Sequence, residues 1–177
     1  MSAIELIILG ILSGRAMNAY ELVQYIDSLQ IGRLIKISKP AVYKTCKRLF
    51  QAGYLNGKTT REGENPEKTI YSPNAAGKKH FLALMEHFSG NVQPFYLDFN
   101  SFLWNIDKLE RKKARRMLLN LRDQLIAWRE WIIKHEAEDE GRNYAQRNIV
   151  RQYRMLFIAL VEWADEALRD FEKSKRL

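Results

Sequence analysis

The chain has 177 residues, 46% of them hydrophobic and 28% charged, the balance of a folded protein with one medium or two small cores. Its net charge of +8 is uneven: residues 1–85 hold 12 Lys and Arg against 6 Asp and Glu, residues 86–177 hold 17 against 15. A single cysteine excludes an internal disulfide, the apolar runs are shorter than the roughly 20 residues of a membrane span, and no signal pattern opens the chain.

These totals lead to the expectation of a cytoplasmic protein whose basic half meets a polyanion. Residues Ala3 to Leu12 are almost wholly apolar and read as a buried helix, broken at "SGRAM", where Gly14 weakens a helix interior. Asn18 suits the N-cap of a second helix through Leu29, with Tyr20, Leu22, Val23 and Ile26 as its apolar face.

The third helix is "KPAVYKTCKRLFQAGYL". Ser38 stands as its N-cap, Pro40 fits the first turn and Gly53 is the stop. At about 100° per residue, Val42, Cys46, Leu49 and Phe50 gather on one side. Lys44, Lys47, Arg48 and Gln51 gather on the other, with Tyr43 at the flank. A helix with a merely solvated face intersperses acids at i,i+4 for mutual support, and this one has none.

Next come "YLNGKTT" and "TIYS", β-prone segments on either side of the polar "REGENPE", which together read as a hairpin. Asn74 caps a fourth helix whose apolar stripe is Phe81, Leu84, Met85 and Phe88. Ser89-Gly90-Asn91 and Pro94 punctuate the chain and place a domain boundary near residue 90. The expected division is a winged helix-turn-helix over residues 1–88 and a helical domain over 92–177.

The second half reads as helical throughout. The aromatic-rich "FYLDFNSFLWNI" starts it, and the acidic "HEAEDEGRN" connects two long helices. Ala114, Leu118, Leu121, Leu125, Trp128, Ile132 and His135 alternate spacings of four and three, as do Ile149, Tyr153, Leu156, Leu160, Trp163 and Ala167. Such spacing buries a narrow stripe against other helices. Two helices with this much apolar stripe exceed what each can offer the other, which predicts a dimer through Leu118, Leu121, Leu125, Trp128, Ile132, Leu156, Leu160 and Trp163.

The fold class expected is therefore mainly α with a small β-hairpin wing, a winged helix-turn-helix followed by a helical dimerisation domain. In such a domain the third helix enters the major groove, about 12 Å wide. The DNA-facing set is Ser38, Lys39, Ala41, Tyr43, Lys44, Lys47, Arg48 and Gln51, with Lys58, Arg61, Lys68 and Tyr71 from the wing. Ser38 and Lys39 stand at the helix start, where free N–H groups and the dipole attract phosphate. A two-fold dimer would set two such helices about 34 Å apart and match an inverted repeat in double-stranded DNA.

Several of these residues resemble the PadR family of transcriptional regulators. Met17-Asn18-Ala19-Tyr20-Glu21-Leu22 is similar to the family's "M-H-G-Y-E-L", and Ser38, Val42, Tyr43, Arg48, Leu49, Gly53 and Leu55 fall on its recognition segment. Pro66, Tyr71 and Gly77 resemble the end of its wing. Asn18 and Ala19 replace His-Gly, Cys46 replaces a usual Leu, Asn74 replaces a capping Thr, and Lys44 replaces a frequent Pro. The match spans roughly residues 4–85; "EWADEAL" is the familiar stretch of the longer C-terminal domain found in a virulence-activator-like branch. The resemblance implies a homodimeric DNA-binding regulator, in most members a repressor, some of them released by small aromatic ligands. It suggests a ligand cavity at the subunit interface lined by Trp104, Trp128, Trp131 and Trp163, although aromatic residues at helical spacing more often make ordinary core.

Other readings are weaker. His80, His87 and His135 have no companions at metal-ligand spacing, and neither a phosphate-binding GxxxxGK[ST] loop nor a GxGxxG turn is present. No enzyme, metal or cofactor is expected. Cys46 lies on the apolar side of its helix and reads as packing rather than a redox sensor. A membrane surface is disfavoured, because the basic face is broken by a β-hairpin and lacks exposed Trp or Phe opposite it. A protein–protein adaptor, or an RNA-binding module, is the rival reading for a winged helix.

Overall fold

The computed structural model describes residues 2–29, 35, 37–61, 67–137, 141 and 143–174, and the chain divides into two compact units, Met1–Pro94 and Phe95–Leu177. The first unit contains α1 (Ala3–Gly14), α2 (Ala19–Ser28), α3 (Lys39–Gln51), β1 (Leu55–Thr60), β2 (Lys68–Pro73) and α4 (Ala75–Gly90). Its core joins Ile8, Leu9 and Leu12 of α1, Leu22, Val23 and Ile26 of α2, Val42, Cys46 and Leu49 of α3, and Leu84 of α4.

Local chemistry sets the ends of these helices. Asn18 accepts the Glu21 N–H at 3.0 Å while the Glu21 carboxylate accepts the Asn18 N–H at 3.1 Å, a reciprocal capping box that starts α2. The chain leaves α3 at Gly53, whose φ of 75° lies in the left-handed region that costs a side chain dear. The Gly53 and Tyr54 N–H groups donate back to Phe50 and Leu49 carbonyls, closing the helix.

β1 and β2 pair antiparallel from Leu55↔Pro73 to Thr60↔Lys68. An isolated bridge between Met17 and Tyr71 adds the α1–α2 connection to the outer edge of β2, with N···O distances of 2.9 and 3.3 Å. The hairpin is thereby tied to the helices rather than left as a free ribbon. Asn74 then serves two elements at once: it accepts the Gly77 N–H at 2.9 Å, starting α4, and donates to the Gly53 carbonyl at 2.8 Å. The first turn of α4 lies so close to the chain after α3 that a methyl group on Gly77 would stand 2.1 Å from the Tyr54 carbonyl oxygen.

Three expectations for this unit are corrected. Tyr20 is 62% exposed, because the core takes only Leu22, Val23 and Ile26 from α2. Phe50 is 43% exposed; its ring leaves the core edge of α3 to cover the hairpin, 5.7 Å from the Tyr71 ring. On α4, Leu84 is fully buried and Phe81 packs on the core, but Met85 and Phe88 are exposed. The wing residues 62–66, among them Pro66 of the family resemblance, lie outside the described residues.

The second unit contains α5 (Asn100–Leu103), a 3₁₀ turn (Ile106–Lys108), α6 (Arg111–Ala137) and α7 (Tyr144–Lys173). Arg115 pairs with Glu172 and Arg122 with Asp165, a descending order that makes α6 and α7 antiparallel. The Arg111 guanidinium donates to the carbonyls of Phe171, Glu172 and Ser174 at 2.6–3.0 Å and lies over the Phe171 ring, capping the end of α7. Asn143 and Gln146 form a second capping box at the start of α7.

Within this pair Leu118, Leu125 and Ile132 are buried by the chain's own α7, which corrects their assignment to a partner surface. On α7 the buried seam is Val150, Val161, Ala164 and Leu168, with Phe157 packed alongside. It runs one residue C-terminal to the expected stripe of Ile149, Tyr153, Leu156, Leu160, Trp163 and Ala167, none of which is fully buried. Both sets keep the alternation of four and three, and spacing alone does not tell which seam faces α6.

Gly77→Ala should lower stability by about 1–3 kcal/mol, the cost of forcing a methyl group into a filled site. Denaturant unfolding checks this, and an unchanged midpoint would show that α4 and Tyr54 separate freely. Burial also pushes the Cys46 thiol up to about 11. Since only the thiolate reacts, alkylation at pH 7.5 should be at least about a hundredfold slower in the native than in the unfolded chain. Equal rates would mean that the inner edge of α3 is open to solvent.

Candidate nucleic-acid interface

The inward edge of α3 is Val42, Thr45, Cys46 and Leu49, all buried. That edge fixes the helix about its axis and leaves Tyr43, Lys44, Lys47 and Gln51 exposed within an arc of about 100° on the opposite side. No carboxylate among the described residues pairs with Lys44 or Lys47. The face holds two cations, an amide able to pair with a base edge, and a phenol.

The remaining α3 residues stand differently. Ser38 occupies the N-cap position with extended backbone, and its carbonyl accepts the Val42 N–H at 3.1 Å, but its hydroxyl makes no cap bond. Ala41 is half-buried. Lys39 lies 2.8 Å from Asp27 of α2, whose carboxylate holds the ammonium above its ordinary value, so Lys39 is paired within the protein. Arg48 is paired with Glu5 of α1, a residue only 5% exposed. Of the four basic residues expected to point outward, two are thus held by the chain's own carboxylates.

In the hairpin, Lys58 faces Ile70 and Lys68 faces Thr60 across the strands. Directly opposed residues share a sheet face, so Lys58 and Lys68 lie on one side together. Both are exposed, as is Arg61 just beyond β1. Tyr71 is opposite Gly57 and falls on the other side, where its ring packs on the core and against Phe50. Its assignment to the DNA-facing set is corrected on that ground.

The residues that sequence reasoning missed are Glu5 and the role of His80. Glu5 is the one charge in the run "AIELIILGIL", and that isolation is the signal that could have marked it. His80 Nε2 lies 3.5 Å from Glu5 Oε2, and its ring stacks on Tyr54 at 4.3 Å.

The four tryptophans do not converge. Trp128 stacks on Phe157 and meets Trp131 edge-on, Trp163 stacks on Phe99, and Trp104 is 86% exposed. Within one chain they form separate aromatic contacts rather than one enclosed cavity. Among the described residues no cluster of His, Cys, Asp or Glu could hold a metal, and no helix is long and apolar enough to cross a membrane.

Comparison with known structures gives the same architecture. The chain is similar to Bacillus subtilis PadR solved in complex with operator DNA, at 17% identity and TM-score 0.78, covering 97% of this chain and 98% of that one. Bacillus subtilis PadR in complex with p-coumaric acid gives 15% identity and TM-score 0.77, over 97% and 100% of the two chains. The Vibrio cholerae virulence activator AphA gives 20% identity and TM-score 0.72, over 96% and 98%. At these identities the likeness shows the fold. No curated protein matches the chain by sequence. Residues 8–83, from the buried part of α1 into α4, match the model of the transcriptional regulator PadR-like family, so the winged-helix unit of this chain is similar to that family.

Proposed function

We propose that the chain is a sequence-specific regulator of double-stranded DNA, acting as a homodimeric repressor on an inverted-repeat operator. The observation that carries the reading is the outward face of α3: Tyr43, Lys44, Lys47 and Gln51 on a helix locked by its opposite edge. Lys44 and Lys47 meet phosphate or guanine, and Gln51 meets adenine or phosphate. Ser38 and the start of α3 take a backbone phosphate, and Lys58, Arg61 and Lys68 follow the neighbouring backbone from the wing. Ala41 lies close enough to the start of the helix to touch a base methyl group.

Support for the dimer comes from α7, where Leu156, Leu160 and Trp163 form a half-exposed seam beside the one already used by α6. Leu121 and Trp128 extend it on α6. The repressing sign follows the prevailing mode of the family. A small aromatic effector is the finer part of the proposal, supported by the Bacillus subtilis relative solved with p-coumaric acid. Its candidate contacts are the two separate aromatic sets, Trp128 with Trp131 and Trp163 with Phe99.

Neutralising each phosphate contributes a slope of about −0.9 to log affinity against log salt. Lys44→Gln and Lys47→Gln should each make the slope shallower by about that amount, measured by fluorescence anisotropy on an operator duplex. Affinity independent of salt, or unchanged by both substitutions, would favour the adaptor reading. Light scattering at micromolar concentration should give twice the mass of one chain; one chain's mass would remove the dimer.

A further inference from the structure

Glu5 is a buried carboxylate that lies outside the DNA-facing set. Its Oε1 meets Arg48 Nη1 of α3 and its Oε2 faces His80 Nε2 of α4 at 3.5 Å. Three helices therefore meet on one side chain whose own exposure is 7%. A carboxylate this deep is costly unless it is paired, so removing the guanidinium would leave an uncompensated buried charge. The pull on Arg48 is directional. Arg48 lies one residue beyond Lys47 and four beyond Lys44, on the border between the buried edge of α3 and its exposed face. Held towards α1, it braces the helix at the setting in which Lys44, Lys47 and Gln51 face outward together.

The apolar edge decides which side of α3 faces the core, but Val42, Cys46 and Leu49 make contacts without a preferred bonding direction, so small rotations about that setting cost little. The ion pair adds a directional contact that narrows that range. His80 closes the other side of the carboxylate and is held by its stack on Tyr54, which itself donates to the Leu49 carbonyl at the end of α3.

We infer that Glu5 is a positioning residue for DNA binding: it holds Arg48 as an inward brace of the recognition helix, and Arg48 contributes no phosphate contact of its own. The inference rests on the DNA-binding reading above. Arg48 is 53% exposed at its side chain, and a basic residue at that exposure on such a helix would ordinarily be counted with the groove-facing cations.

The test is a salt series on one operator duplex with the intact chain, its Glu5→Gln and Arg48→Gln variants and the double variant, with Lys47→Gln as the control for a true phosphate contact. Glu5→Gln and Arg48→Gln should each weaken binding by about tenfold at every salt concentration, the usual coupling within an ion-pair network, and leave the slope unchanged. The double variant should bind no more weakly than the weaker single one. A purely stabilising role would lower the melting temperature and leave the affinity of the folded chain untouched, which would overturn the inference. So would a slope for Arg48→Gln as shallow as that of Lys47→Gln, or losses that multiply in the double variant. Should Glu5→Gln fail to fold, the slope and affinity of Arg48→Gln decide alone, because that side chain is half in solvent. Failure of the DNA reading itself has a separate signature: the unaltered chain would show no salt-dependent duplex binding.

Discussion

The position of α3 governs everything the first unit can do. Burying Val42, Leu49 and the Cys46 side chain contributes up to about 1.5–3 kcal/mol for each large apolar group. Repulsion between exposed cations costs only about 1 kcal/mol at 4 Å in water. The apolar edge therefore decides which way the helix faces, and Lys44 and Lys47 accept their mutual repulsion at the surface. A surface that keeps such charges side by side is suited to a partner that brings phosphate.

Around that helix the backbone is pinned at few but exacting points. The Met17–Tyr71 bridge ties the wing to the helices, Asn74 joins the end of α3 to the start of α4, and Gly77 lets α4 approach the Tyr54 carbonyl. Each of these contacts spans elements distant in sequence and joins the hairpin to the helices it flanks. In the second unit a similar economy operates: Arg111 satisfies the last carbonyls of α7, which would otherwise be orphaned at the end of a 30-residue helix.

Much of this was legible from residue types alone. Asn18, Ser38 before Pro40, Gly53 after the last turn and Asn74 marked the helix ends, because helix ends are set by a local chemistry written in neighbouring residues. The outward set on α3 was readable from angular spacing for Lys44, Lys47 and Gln51. Arg48 and Lys39 were not, because their partners Glu5 and Asp27 come from other helices and spacing within one helix cannot reveal them. Tyr71 was misplaced for want of the strand register, which sets the sheet face on which a side chain falls. On α7, two adjacent seams with the same alternation made the choice of the inner one a tertiary matter, settled by packing against Leu125 and its neighbours.

The claim on which the account turns is that the face of α3 bearing Tyr43, Lys44, Lys47 and Gln51 reads duplex DNA. Selecting bound duplexes from a random pool with the intact chain, and again with Gln51→Ala, tests it most directly. The account predicts a two-fold symmetric motif with half-site centres about 10 base pairs apart or a multiple of that, and a base preference that Gln51→Ala relaxes at one position in each half. A selected pool as diverse as the starting one would contradict it.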